Sequence, residues 1–446
     1  MPPDVSGPDA PARERIVAKL GTFDTAMVVV SLVVGIGIFR TPAIVAKAAG
    51  TESRFLLAWA LAGLVSLVGA LTFAEIGSRH PRAGGYYRVV ADCYSPVLAF
   101  MLNWAQTLMQ GAGAAGVAFI GAEYLVGLVL PPSKRGGDAV LLVALLLMAV
   151  LLALNALGIR VGAGAQNVLS MTKIVMIAGL AGLAFALAPR AAASAVPPAV
   201  PAGLAAALIP CFYAYGGYHM TMNLGGDVKD ARRRFPLAVT AGMLAVAGLY
   251  LAINAAYVRT LGVAGVAGST LVAAAVAKAS LGGTGEAVVS ALIFLSAAGF
   301  VNATVLQMPR SYHAMAEDGV LPAAFRRVDP RTQVSAAGLA LFGATMLIPA
   351  FVLGSFEKLL SYIIFTDMVT LVVVASTLFV LRRRGEGAGA FRIPLYPVLP
   401  ALYILALAAV AAHVAVTEPA LALAGTAILL AGWPLFVVGR RLTGAP

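Results

Sequence analysis

Charge is scarce in this sequence: Asp, Glu, Lys and Arg together make 11% of 446 residues, while 61% are hydrophobic. A soluble chain of that length does not have this composition. Cysteine is nearly absent. Cys93 and Cys211 lie far apart in expected topology, so neither a disulfide framework nor a metal spacing is present. The four histidines, His80, His219, His313 and His413, form no HExxH-type pair, so metal catalysis is not supported and no cofactor is implied. No GxSxG nucleophile motif occurs, no stretch alternates as a membrane barrel does, and no cleavable signal pattern opens the chain.

What is there is apolar length. Twelve stretches can each span a bilayer as a helix, at about 22–48, 55–76, 97–129, 139–157, 162–188, 203–224, 237–259, 286–309, 335–353, 358–381, 398–416 and 420–438. With a cytoplasmic N-terminus, 21 Lys and Arg fall on inner segments and 8 on outer ones; Arg40 and Lys173 lie within spans. That bias places both termini inside and accounts for the net charge of +12 without nucleic acid. Residues 1–20 read as a disordered cytoplasmic tail.

The first span contains "VVGIGIFRTP", where Gly35, Gly37 and Pro42 interrupt an apolar run. The sixth reads "LIPCFYAYGGYHMTMNLGG", with Pro210 and the pair Gly216-Gly217. The breaks are roughly 180 residues apart, each in the first span of a set of five. Interrupted spans in corresponding positions of two halves point to a transporter binding site, as in leucine-transporter-type folds. A broken helix leaves N–H and C=O groups without partners. Free N–H groups suit a carboxylate and free C=O groups an ammonium, and an amino acid carries both. The alternative is that these glycines only let helices pack closely.

Further segments carry a resemblance. "GIGIFRTP" is similar to a family motif GSGIF followed by Pro. "AEIGSRHPRAGGYYRVV" carries Glu75, Pro81, Gly84, Gly85 and Tyr86 of a second motif. "GDVKDARRRFP" keeps Lys229, Arg232 or Arg233, and Pro236 of a third, and "NATVLQMPRSYHAMAEDGVLP" and "FRIPLYPVLP" match two more. Together these resemble the amino acid–polyamine–organocation superfamily, and within it the L-type amino acid transporter branch.

The resemblance implies an all-α membrane protein of twelve helices. Its five-plus-five inverted repeat would occupy 21–188 and 203–381, with helices eleven and twelve and the C-terminal tail over 398–446. It implies an amino acid carrier, not an enzyme, for neutral L-amino acids, working as a sodium-independent exchanger or a proton-linked carrier. An amine, polyamine or cationic amino acid permease is the alternative within the superfamily, and a channel or intramembrane enzyme a distant one. The substrate carboxylate would meet the backbone around Ile36, Gly37 and Ile38. The ammonium would meet carbonyls of Val33, Tyr213, Ala214 and Gly216, with Tyr213 as outer gate. Departures from the family pattern are Ile36 for Ser, Tyr218 for Trp, His219 at the next polar position, and Gly226-Asp227 for Glu-Glu.

Lys173 lies about 11 residues, roughly 16 Å, inside the fifth span by helix rise. It either snorkels to the interface or, as the resemblance implies, stands where sodium sits in coupled relatives, with Ser296 and Asn302 as neighbours. There it could also carry a coupling proton. Arg40 reads as a pair for Glu123, a reach to water, or a contact to an acidic substrate; Asp367 reads as a proton site or a helix contact. Glu75 reads as the partner of a nearby Arg. The loop "PPSKRGGD" lacks the Cys by which animal relatives attach a glycoprotein chain, so no disulfide-linked accessory subunit is expected. The expected location is a prokaryotic inner (plasma) membrane.

Overall fold

A computed structural model describes residues 17–35, 37–191, 203–269, 272–353, 357–387 and 391–443. Among the described residues fifteen α-helices follow one another: α1 Thr22–Val33, α2 Gly37–Ala49, α3 Glu52–Arg79, α4 Gly85–Cys93, α5 Pro96–Val129, α6 Gly137–Ala156, α7 Ile159–Leu187, α8 Leu204–Ala214, α9 Ala231–Gly268, α10 Val272–Leu281, α11 Thr284–Glu317, α12 Ala336–Leu353, α13 Glu357–Arg383, α14 Val398–Thr417 and α15 Pro419–Thr443. The only β pairing among the described residues is an isolated bridge between Leu20 and Val228.

Nine of the described helices are long and apolar enough to cross a membrane, and α1 with α2, bent by 46°, makes a tenth. Of the two other expected spans, the sixth is interrupted. At the sixth, α8 stops after eleven residues and the chain continues as a 3-10 segment, Tyr218–Asp227. The ninth corresponds to α12, an apolar helix of 18 residues, Ala336–Leu353. Two helices arise where loops were expected. The short α4 tucks Tyr86, Tyr87 and Val90 inside, and α10 buries Val272, Ala273, Val276 and Ala277.

The core forms where helices of the two halves meet. α3 packs on α9, α5 on α11, α6 on α12, and α2 on α8. Buried small residues permit this closeness, as is common between membrane helices: a Cβ on Gly69 would overlap the Tyr218 hydroxyl and the Tyr403 ring.

The tail expected over 1–20 is ordered at its end. The N–H groups of Lys19 and Leu20 both donate to the Asp227 carbonyl at 2.8 Å, and Val17 N–H donates to Gln333 Oε1 at 2.6 Å. The segment thereby supplies donors to the end of the 3-10 segment, which has no helical continuation of its own. Residues 1–16 lie outside the described residues.

At this same end ion pairs in three clusters fix helix ends. Glu75, fully buried, accepts from Arg79 Nε at 2.6 Å, from Arg382 Nη2 and Nε at 2.7 and 2.8 Å, and from the Ile393 N–H at 2.7 Å. That confirms its reading as an arginine partner. Asp227 receives Arg310 through two bonds of 2.7 and 2.9 Å. Arg88 on α4 bonds to Glu317 and Asp318 at the end of α11.

Candidate binding site at the broken helices

α1 ends because its last carbonyls are taken by other helices. Val34 N–H still closes on Val30, but its own backbone leaves the helical region at φ −77°, ψ 76°. Its carbonyl accepts the Lys173 ammonium from α7, and Ser296 Oγ of α11 at 3.2 Å; Ser296 also reaches the Gly35 carbonyl at 3.2 Å. Lys173 is fully buried. It does not snorkel to the interface; its Nζ is met by the Val34 carbonyl at the break.

α8 ends in the same region. Gly216 N–H turns back to the Tyr213 carbonyl at 3.1 Å, and Gly217 then adopts φ +108°. A Cβ on Gly217 would stand 2.4 Å from the Leu32 carbonyl oxygen, so the two breaks cross here in backbone contact. Tyr250 of α9 joins them. Its hydroxyl lies 3.1 Å from the carbonyls of both Val33 and Ala214, so one proton is shared between the two half-helix ends. Trp59 and Tyr215 pack on the Tyr250 ring at 5.7 and 4.9 Å between centroids.

The structure therefore brings together Val33, Gly37, Ala214 and the Gly216-Gly217 turn. A Cβ on Gly37 would lie 3.4 Å from Ala214 Cα. Gly37 and Ile38 open α2, whose first N–H groups have no carbonyl within their own helix. Tyr213 is half-buried. Ile36 lies outside the described residues. Tyr218 is turned away from the break: its hydroxyl bonds Tyr403 at 2.8 Å and its ring packs on Phe73. His219 stands beside it, 4% exposed. Arg40 is exposed on α2.

Of the two neighbours expected for Lys173, Ser296 shares its acceptor. Asn302 connects at a distance, through a buried chain of polar side chains. Asn302 donates to Gln166 at 2.8 Å, Gln166 to Ser170 at 3.0 Å, Ser170 lies 2.7 Å from Ser31, and Lys173 reaches Ser31 at 3.4 Å. Asn155 of α6 closes the far end on Asn302 at 2.7 Å. Sequence reasoning missed Tyr250, Ser31, Gln166 and Ser170. The usable signal was a polar side chain inside an apolar span, which each of them is.

No group of three or more His, Cys, Asp or Glu side chains that could hold a metal occurs among the described residues. A cavity of about 730 Å³ lies elsewhere, between α5, α11, α12 and α15, lined by Trp104, Tyr312, Phe325 and Leu435. None of the break residues lines it.

Residues 20–433 match a protein-family model described as "Amino acid permease". The chain is 27% identical over 425 residues to the serine/threonine exchanger SteT of Bacillus subtilis (strain 168), an alignment covering 94% of this chain and 96% of that one. It is 24% identical over 432 residues to the human large neutral amino acids transporter small subunit 2, covering 94% and 80%. It is 23% identical over 449 residues to the cystine/glutamate transporter of Pongo abelii, covering 97% and 88%.

Proposed function

The chain belongs to the amino acid permease family, and on that footing we propose that it carries neutral L-amino acids by alternating access around the crossing of its two broken helices. It is a membrane transporter and not an enzyme. The observation that carries the reading is the crossing itself. The open N-terminus of α2 faces the same region as the carbonyl ends of α1 and α8, held by Tyr250 and Lys173. An α-carboxylate fits the N–H groups around Ile36, Gly37 and Ile38. An α-ammonium fits the second lone pairs of the Val33 and Ala214 carbonyls, with the carbonyls of Tyr213 and Gly216 beside them. Tyr213 gates the outer side, and His219 lies where a substrate side chain would extend.

The chain crosses the membrane twelve times, counting α1 with α2 and α8 with the 3-10 segment as single broken spans, and counting α12. Five-helix repeats occupy 21–188 and 203–381. The pairing of α3 with α9, α5 with α11 and α6 with α12 supports this, because each pair joins corresponding members of the two sets. Both termini face the cytoplasm of a prokaryotic plasma membrane, as the Lys and Arg bias favours. Lys173, with Ser296, serves in place of sodium, so transport is sodium-independent. No disulfide-linked accessory subunit is needed.

The test is counterflow in liposomes holding the purified protein, with a panel of amino acids and of amines. Saturable exchange of neutral amino acids is expected. Preferential exchange of decarboxylated amines would move the assignment to an amine carrier.

A further inference from the structure

Three polar side chains from three elements converge beside the 3-10 segment, and the contacts within the protein leave them incomplete. Among the described residues, Asp367 of α13 accepts one bond, from Gln106 Nε2 of α5 at 2.8 Å. His219 of the 3-10 segment stands with Nε2 3.9 Å from the same Asp367 oxygen, too far for a hydrogen bond. The His219 side chain is 5% exposed, and both of its ring nitrogens lack a hydrogen-bond partner. Gln106 Oε1 and the Tyr86 hydroxyl are buried without a partner as well.

Such a concentration of unmet polar atoms is costly in a protein interior, at about 1–3 kcal/mol for each group left unsatisfied. A carboxylate inside a membrane span is costlier still unless it serves a site. The Asp367 side chain keeps 20% exposure, so the carboxylate is reachable. The cluster lies within the reach of a substrate. His219 follows Gly217, the crossing glycine, by two positions. Phe73, 5.8 Å from the His219 ring between centroids, walls the other side.

The geometry points to a side-chain subsite in which Asp367, His219 and Gln106 receive the hydroxyl of a substrate side chain. This rests on the amino acid transport reading given above. A hydroxyl has one proton to donate and lone pairs to accept with. It donates to the Asp367 carboxylate and accepts the N–H of the neutral imidazole, which satisfies both with one group. A methyl in that place leaves both unpaired. A substrate carboxylate is repelled by Asp367.

The experiment compares isosteres in liposomes containing the full chain. L-threonine and L-valine differ by a hydroxyl for a methyl, as L-serine and L-alanine differ by a hydroxyl for a hydrogen. The wild type is expected to take threonine over valine, by kcat/KM in counterflow, at least tenfold, since a site built to bond a hydroxyl rejects the analogue lacking it. Asp367→Leu and His219→Phe are each expected to bring that ratio to about one, which loss of packing alone would not do. If these variants fail to fold, the wild-type ratio decides. Valine taken as well as threonine overturns the subsite while leaving amino acid transport standing. Lysine or ornithine taken in preference to threonine overturns the hydroxyl in favour of an ammonium. Failure to exchange any amino acid overturns the transport reading, and the subsite with it.

Discussion

The ammonium of Lys173 donates to the carbonyl of Val34, the residue at which the first helix stops. The bond ties α7 to the break and gives a buried charge its main partner. Lys173→Ala removes the charge and leaves the Val34 carbonyl to Ser296 alone. Transport is expected to fall at least tenfold. Lys173→Met, which keeps most of the volume, should fall equally, since charge and not packing is lost. Initial rates in reconstituted liposomes measure this, with surface-independent folding checked by gel filtration. Uptake should be the same in sodium and choline buffers, and strong sodium stimulation would count against the role given to Lys173.

Tyr250 is the second tie. Its hydroxyl is the group shared by the Val33 and Ala214 carbonyls, and its ring is fixed by Trp59 and Tyr215. Tyr250→Phe keeps the ring and removes the proton. A destabilisation of about 1–3 kcal/mol is expected for the buried acceptors left short of a donor. A lower melting temperature with a raised KM would bear this out. An unchanged protein would mean that the two half-helices are held by packing alone.

At the opposite end of these helices, Glu75 is fully buried between Arg79 and Arg382. Glu75→Gln leaves the guanidinium groups of Arg79 and Arg382 without a carboxylate. Breaking a buried pair in this way costs about 3–5 kcal/mol. Thermal unfolding in detergent should show it, with a smaller effect from Arg384→Gln, whose Glu386 partner is exposed.

The broken helices were legible in the sequence because glycine and proline inside an apolar run have few other meanings. Their assignment to single residues was less so. Gly216 and Gly217 are indistinguishable as letters, yet only Gly217 has a positive φ and meets the Leu32 carbonyl; Gly216 turns back on Tyr213. Tyr218 looked like a pocket residue by position, but a hydroxyl partner on α14, more than 180 positions away, draws it aside. The α4 and α10 helices were missed because they are too short to read as spans. Lys173 was placed by depth alone, while the chain of side chains from Ser31 to Asn155 is built from four separate spans and has no local signature.

The two glycines at the crossing should therefore respond differently. Gly217→Ala forces a Cβ to within 2.4 Å of the Leu32 carbonyl in a backbone conformation that an L-residue resists, so the folded yield should collapse. Gly37→Ala meets Ala214 at ordinary contact distance and should fold, while Gly37→Val crowds the carboxylate approach and should fold but bind poorly. Gly113→Ala, with nothing near its added carbon, serves as the control. Equal folded yields for Gly217→Ala and Gly113→Ala would refute the crossing.

The last expectation concerns the common head of the substrates. The open N–H groups of α2 and the carbonyl ends of α1 and α8 are complementary to opposite charges on adjoining groups. Tyr250 occupies one lone pair of the Val33 or Ala214 carbonyl at a time, so acceptor capacity remains for an ammonium, which brings three donors. Removing either end of the substrate head leaves one half of the crossing without its partner, at about 1–3 kcal/mol. The corresponding loss of affinity is about tenfold to a hundredfold. A decarboxylated amine and an N-acetylated acid, each made from a transported amino acid, should both compete that much more weakly in counterflow. Because the two ends are bound by different helices, Gly37→Val should narrow the gap between the parent amino acid and its amine, and should leave the penalty for N-acetylation in place. An amine that competes as well as its parent with the wild type would remove the first break from the carboxylate site.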